Sequence, residues 1–202
     1  MTAPIQLSII FGTRPELIKL APVILLGQQD PRFQIEVIFT GQHVELVRDA
    51  IDFFKIKIDQ HLKIMHPGQS LNQLLIHALT QLEHTFNNGH PRDAIMVQGD
   101  TTTVLAGALV AFHMKLPIAH VEAGLRSYDL LHPYPEEGNR QLVSRLARWH
   151  FAPTQLSANN LLNEKIQPED IFITGNTVVD AVYLAKEFIQ ASNLQPMQRL
   201  SA

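Results

Sequence analysis

Six short apolar runs recur along the chain, each followed by a turn or capping residue and then by an amphipathic stretch with helical spacing. They are Ile5–Phe11, Ile35–Phe39, Ala94–Val97, Ile118–Val121, His150–Ala152 and Ile171–Ile173. Few folds accommodate this alternation. Strands separated by helix-length segments must return to the same edge, so they lie parallel in one sheet with the helices outside it. Ile5–Phe11 is nearly continuous in apolar residues, as a strand covered on both faces requires. Gly12-Thr13 then turns into a helix with Pro15 near its first turn. Leu71, Leu74, Leu75, Ala78, Leu79 and Leu82 share one helical face after Gly68-Gln69-Ser70, and Asn87-Asn88-Gly89-His90-Pro91 closes that helix. The expected class is α/β: a Rossmann-like parallel sheet with helices on both faces.

With 202 residues, 46% of them hydrophobic, the chain suffices for one ordinary domain, and two full domains would be a tight fit. A net charge of -3 provides no basic field for nucleic acid. The absence of cysteine excludes thiolate nucleophiles, disulfides and thiolate zinc sites. The ten histidines form no HxH or HxxEH cluster, so no metal is expected. Gly12 stands alone after the first strand, without the further glycines of a dinucleotide fingerprint, so no NAD is expected either. Met1 to Gln6 lack the pattern of a signal peptide and no segment has membrane-spanning length, which gives the expectation of a cytoplasmic protein without a membrane partner.

In open parallel sheets, ligands bind beyond the carboxyl ends of the strands, and several polar groups fall there. Gly12-Thr13-Arg14-Pro15-Glu16, with Lys19 five residues after Arg14, offers amides at a helix start and two cations for phosphate oxygens. Equally, this is a βα turn with a surface Arg and Lys. Gln98-Gly99-Asp100-Thr101-Thr102-Thr103 places a carboxylate after the next strand, where either Asp100 or a threonine serves as helix cap. His120-Val121-Glu122-Ala123-Gly124-Leu125-Arg126-Ser127 and Pro135-Glu136-Glu137-Gly138-Asn139-Arg140 add three more acids at strand and helix ends. Carboxylates held at different pKa values can remove and return protons on a sugar carbon, although Glu136 and Glu137 also suit the positive end of a helix dipole. Thr40-Gly41-Gln42-His43 and His66-Pro67-Gly68-Gln69 are further polar loops after strand-like runs.

Taken together with Ile173-Thr174-Gly175-Asn176-Thr177-Val178-Val179-Asp180, the four motifs from Phe11–Glu16, Gln98–Thr103, His120–Arg126 and Pro135–Arg140 resemble the non-hydrolysing UDP-N-acetylglucosamine 2-epimerases. Five motifs in order, reaching to about Ala191, make that resemblance specific. It implies the N-terminal half of a GT-B fold: residues 1–191 as the N-terminal Rossmann-like domain, 192–202 as a truncated connection or tail, and the C-terminal nucleotide-binding domain absent, including its Gly-His-Arg motif. It further implies interconversion of UDP-N-acetylglucosamine and UDP-N-acetylmannosamine by elimination and re-addition of UDP, with no cofactor consumed. Arg14 and Lys19 would contact the nucleotide diphosphate or shape its pocket, and Asp100, Glu122 and Glu136 would form the acid–base set around the sugar. Gln42, His43 and Gln69 match polar loops that line an allosteric UDP-sugar site in some members. The expectation is a chain weakly active or inactive alone, with a homodimer or a separate chain supplying the second domain left open. A catalytically silent interaction module and a hydrolysing epimerase are the alternatives.

Overall fold

The structure, a computed structural model, describes residues 3–41 and 44–191. Residues 192–202, Gln42 and His43 lie outside that description. Seven parallel strands run β1 (Ile5–Phe11), β2 (Phe33–Phe39), β3 (Gln60–His61), β4 (Ala94–Gln98), β5 (Ile118–Val121), β6 (Trp149–Ala152) and β7 (Ile171–Ile173). Their order across the sheet is β3-β2-β1-β4-β5-β6-β7. The chain therefore winds outward from β1 in one direction, returns, and winds outward from β4 in the other. The crevice where ligands settle in such sheets opens at that reversal, beyond the ends of β1 and β4.

Alternation along each strand divides the core in two. Ile9, Phe11, Val37, Phe39, Met96 and Val121 face α1 (Arg14–Gln29), α2 (Val44–Phe54) and α7 (Thr177–Ala191). Ile10, Ile38, Ile95, Val97 and Ile118 face α3 (Leu71–Asn88), α4 (Thr102–His113) and α5 (Glu136–Leu146). A smaller cluster joins Ala123 and Ala152 to Ala158 and Leu161 of α6 (Gln155–Asn163). Phe11 and Phe39 stack at 5.1 Å between ring centres, which locks β1 against β2. Nine of the twelve residues of α4 are buried. It lies close to the sheet because Gly107 meets Ile10 and Val97, whose side chains would come within 3.1–3.2 Å of an added Cβ. Among the described residues, no helix is long and apolar enough to cross a membrane.

The apolar runs mark the six longer strands to within a residue or two, and β3 is the exception. Gln60 and His61 carry no apolar signal; they are strand only because β2 pairs with them through Ile38 and Phe39. In α3 the buried face is Leu74, Ala78, Leu82 and Phe86, whereas Leu71, expected on that face, is exposed in the first turn. Ser70 and Gln73 exchange side-chain-to-amide hydrogen bonds at the start of this helix, so its N-terminus is fixed by a capping box.

Candidate active site

After β1, the chain turns at Gly12-Thr13 into α1, and one carboxylate organises the turn. Glu16 is buried and accepts the Gly12 and Thr13 amides at 2.7 and 2.8 Å, and the Thr101 hydroxyl at 2.6 Å. Burial pushes its pKa up, and the hydrogen bonds it accepts, from the Thr101 hydroxyl, the Gly12 and Thr13 amides and the Thr13 hydroxyl, only partly offset that. The two amides that the sequence offers to phosphate are thus already paired within the fold. Arg14, the first residue of α1, is exposed and has no ion-pair or hydrogen-bond partner among the described residues.

Beyond β4 the two capping alternatives separate cleanly. Thr101 is the N-cap of α4, so the Asp100 side chain is not used for capping and instead meets Arg140 of α5 at 2.6–2.8 Å. Asn139 holds the Asp100 carbonyl at 2.7 Å from the neighbouring position on the same helix. His120 in β5, itself buried, shares a 2.8 Å hydrogen bond with the Gly99 carbonyl. Asp100 is therefore fixed by its side chain and through its backbone on both sides.

Glu122 follows β5 directly, at φ 64, and turns its carboxylate over the sheet ends. Lys19 reaches it from α1 at 2.5 Å, Asn176 reaches its other oxygen from the β7–α7 turn at 3.1 Å, and Gln98 donates to it from the end of β4. Lys19, predicted as a diphosphate contact, is thus the ion-pair partner of a predicted catalytic acid. Two residues on, Gly124 must be glycine: it sits at φ 85, and a Cβ there would stand 2.2 Å from the Ser157 carbonyl. The following loop is tied down at both ends. Arg126, whose side chain is fully buried, forms a paired contact with Glu164 at 2.6 and 2.9 Å and reaches Ser144 at 2.8 Å. Glu137, also buried, accepts the Ser127 and Tyr128 amides. Burial alone would raise the Glu137 pKa, but hydrogen bonds from Gln141, those two amides and Arg140 outweigh it and hold the carboxyl below its ordinary value. Between these anchors, Tyr128, Leu130, Leu131 and Tyr134 are exposed.

Glu136 and Glu137 are neighbours with opposite circumstances. Glu137 is consumed by the loop, whereas Glu136, half-buried at the start of α5, has no hydrogen-bond or ion-pair partner among the described residues. It precedes Arg140 by one helical turn on the same face, and Arg140 grips Asp100. The fold therefore links Asp100 with α5, and Glu122 with β4, α1 and α7, along one edge of the sheet. Gln69 lies outside these contacts, in the loop between β3 and α3, where its amide nitrogen meets the Met65 sulfur and its buried oxygen is unpaired.

Glu16, Gln98, Arg140, Glu164 and Asn176 have no individual role in the expectations drawn from the sequence. For Glu16 a signal existed, because Thr13-x-x-Glu16 has capping-box spacing. Glu164 lies 38 residues from Arg126, and nothing local announces that pairing.

The sequence profile of the UDP-N-acetylglucosamine 2-epimerases matches residues 27–200. The chain belongs to that family. The epimerase of Neisseria meningitidis is 45% identical over 186 residues, covering 92% of this chain and 50% of the relative. That of Escherichia coli K12 is 45% identical over 184 residues, covering 91% and 49%. Among solved structures, the Neisseria meningitidis epimerase bound to UDP-GlcNAc superposes with a TM-score of 0.89 at 44% identity, covering 94% of this chain and 51% of that one. The Methanocaldococcus jannaschii epimerase in complex with UDP-GlcNAc and UDP gives 0.85 at 38% identity, covering 95% and 51%. This epimerase-family chain spans about half the length of the curated relatives it matches. The seven-stranded sheet is accordingly the N-terminal half of their GT-B architecture.

Proposed function

We propose that this chain forms one wall of a UDP-N-acetylglucosamine 2-epimerase active site, with Asp100, Glu122 and Glu136 as the acid–base set at the sugar. The observation that carries the reading is the row of carboxylates beyond β4 and β5, two of them held in place by cations and amides and the third unpartnered. Relatives solved with UDP-GlcNAc bound share this half of the fold.

In the proposed reaction, a carboxylate takes the C2 proton while the C1–oxygen bond breaks and UDP leaves, giving a 2-acetamidoglucal. A proton then returns to C2 from the opposite face and UDP adds back at C1. The reaction conserves every atom and needs no redox cofactor. Two acids of different proton affinity are required, one on each side of the ring. Glu122 is ion-paired to Lys19, whereas Glu136 has no hydrogen-bond or ion-pair partner among the described residues. Arg14, exposed beside the β1 turn, and Lys19 would receive the diphosphate.

A single wall leaves the reacting carbon open to water, and the electrostatic stabilisation that a closed cleft provides is largely lost. The chain alone is therefore expected to bind UDP-sugars weakly and to turn over slowly or not at all. The test is titration with UDP-N-acetylglucosamine beside an epimerisation assay on the same sample. The assay is repeated after adding a polypeptide equivalent to the second half of a relative. Binding without turnover, followed by turnover in the mixture, is the expected result. Full turnover by the chain alone would overturn the half-cleft reading, and absence of binding under every condition would overturn the function.

A further inference from the structure

We propose that Gln98 and Asn176 are positioning residues that aim the Glu122 carboxylate at the bound sugar. The inference rests on the reading that this edge of the sheet takes a UDP-sugar. Glu122 leaves β5 in a left-handed conformation, which swings its side chain over the strand ends instead of along the strand. A lone glutamate with three rotatable bonds would sample many directions there. Three donors from three elements stop it: Lys19 from α1, Gln98 from the end of β4, and Asn176 from the turn that leads into α7.

The three donors are not equivalent. Lys19 carries a flexible charged group with part of its side chain in solvent, so it can follow a phosphate and still remain near Glu122. Gln98 is buried, and the β4–β5 ladder pairs it with Val121, the residue immediately before Glu122. The sheet itself sets its distance. Asn176 is committed at both ends of its amide: the oxygen accepts the Val178 amide at 3.1 Å in the first turn of α7, and the nitrogen donates to Glu122. An ionised carboxylate only accepts hydrogen bonds, so both amides must present nitrogen to it, and their orientation is fixed by chemistry. One oxygen of Glu122 is held by Lys19 and Gln98, the other by Asn176. The carboxylate plane is thereby tied to the sheet and to the start of α7 together.

A double-mutant cycle separates positioning from mere structural support. Asn176→Ser keeps a side-chain oxygen for the start of α7 but is too short to reach Glu122. Gln98→Met keeps the volume at the end of β4 and removes the donor. Both are combined with Glu122→Ala, and UDP-N-acetylglucosamine and UDP are titrated into each protein by NMR, which resolves weak binding and shows from the amide spectrum that the fold persists. Each single change is expected to weaken UDP-N-acetylglucosamine about five- to tenfold, with UDP altered less than about twofold. In the Glu122→Ala background the same changes should add less than about twofold. An equal loss in both backgrounds means that the residues do not act through Glu122, and the proposal falls while the UDP-sugar reading stands. If the unaltered chain binds neither ligand, alone or with the second-half polypeptide added, the UDP-sugar reading falls and the proposal with it. Should Gln98→Met fail to fold, the Asn176→Ser cycle decides alone.

Discussion

The Glu16 carboxylate occupies the place at the start of α1 where an anion would otherwise bind, with the Gly12 and Thr13 amides pointed at it. Replacing it with alanine strands both amides and the Thr101 hydroxyl in a buried setting. A loss of about 2–4 kcal/mol in urea unfolding is expected. Glu16→Gln behaves differently, because an amide oxygen can accept the same backbone hydrogens without charge. Burial raises the folded pKa of Glu16 above its unfolded value, so the favourable protonated form is fully present below the unfolded pKa near 4.5 and is lost as pH rises through the folded pKa. The Gln variant should therefore gain on the natural chain as pH rises, and unfolding at pH 5 and pH 8 measures the difference. Half of this arrangement is readable from the sequence, since Thr13 and Glu16 have capping-box spacing. The other half is not, because the third partner, Thr101, lies 85 residues away.

At the scale of elements, β5 and β6 place His120 directly beside His150, both about 1% exposed. Burial lowers each pKa to about 4. Each native histidine therefore binds fewer protons than its unfolded counterpart between pH 6.5 and 4, and stability falls as pH drops through that window. The loss is bounded by about 3 kcal/mol per histidine. His150→Phe should flatten the decline in unfolding free energy between pH 7 and pH 5. In α5, Gly138 has open space where a Cβ would be. Gly138→Ala should stabilise the fold by about 0.5–1 kcal/mol in thermal or urea unfolding, since it removes backbone freedom from the unfolded chain without a clash. Elements were the most legible level of the sequence because strands of a covered parallel sheet are rich in apolar residues, and the six longer strands show this even with polar residues such as Ser8, Glu36, His120 and His150 among them. β3 escaped notice for the complementary reason: a two-residue edge strand buries too little to leave a hydrophobic signature.

For the whole molecule, the strand order explains why site residues scattered from Lys19 to Asn176 meet. The reversal between β1 and β4 brings the ends of β1, β4 and β5 side by side, and every candidate acid follows a strand there or opens a helix beside it. Motif order along the sequence marks the candidate residues. It does not reveal that Lys19 answers Glu122 or that Arg140 answers Asp100, because those pairings exist only once the sheet has assembled. The loop from Ser127 to Pro135 adds a property of another kind. Arg126 and Glu137 hold its two ends independently of its apolar middle, the β4–β5 ladder lies upstream of it, and the β5–β6 ladder joins the segments on its two sides. Limited proteolysis is expected to cut first at Leu130-Leu131 and to leave two pieces that migrate together under native conditions and separate only in denaturant. The molecule can thus be regarded as two interlocking fragments joined by an exposed thread, and a split reporter could be built on it at that point.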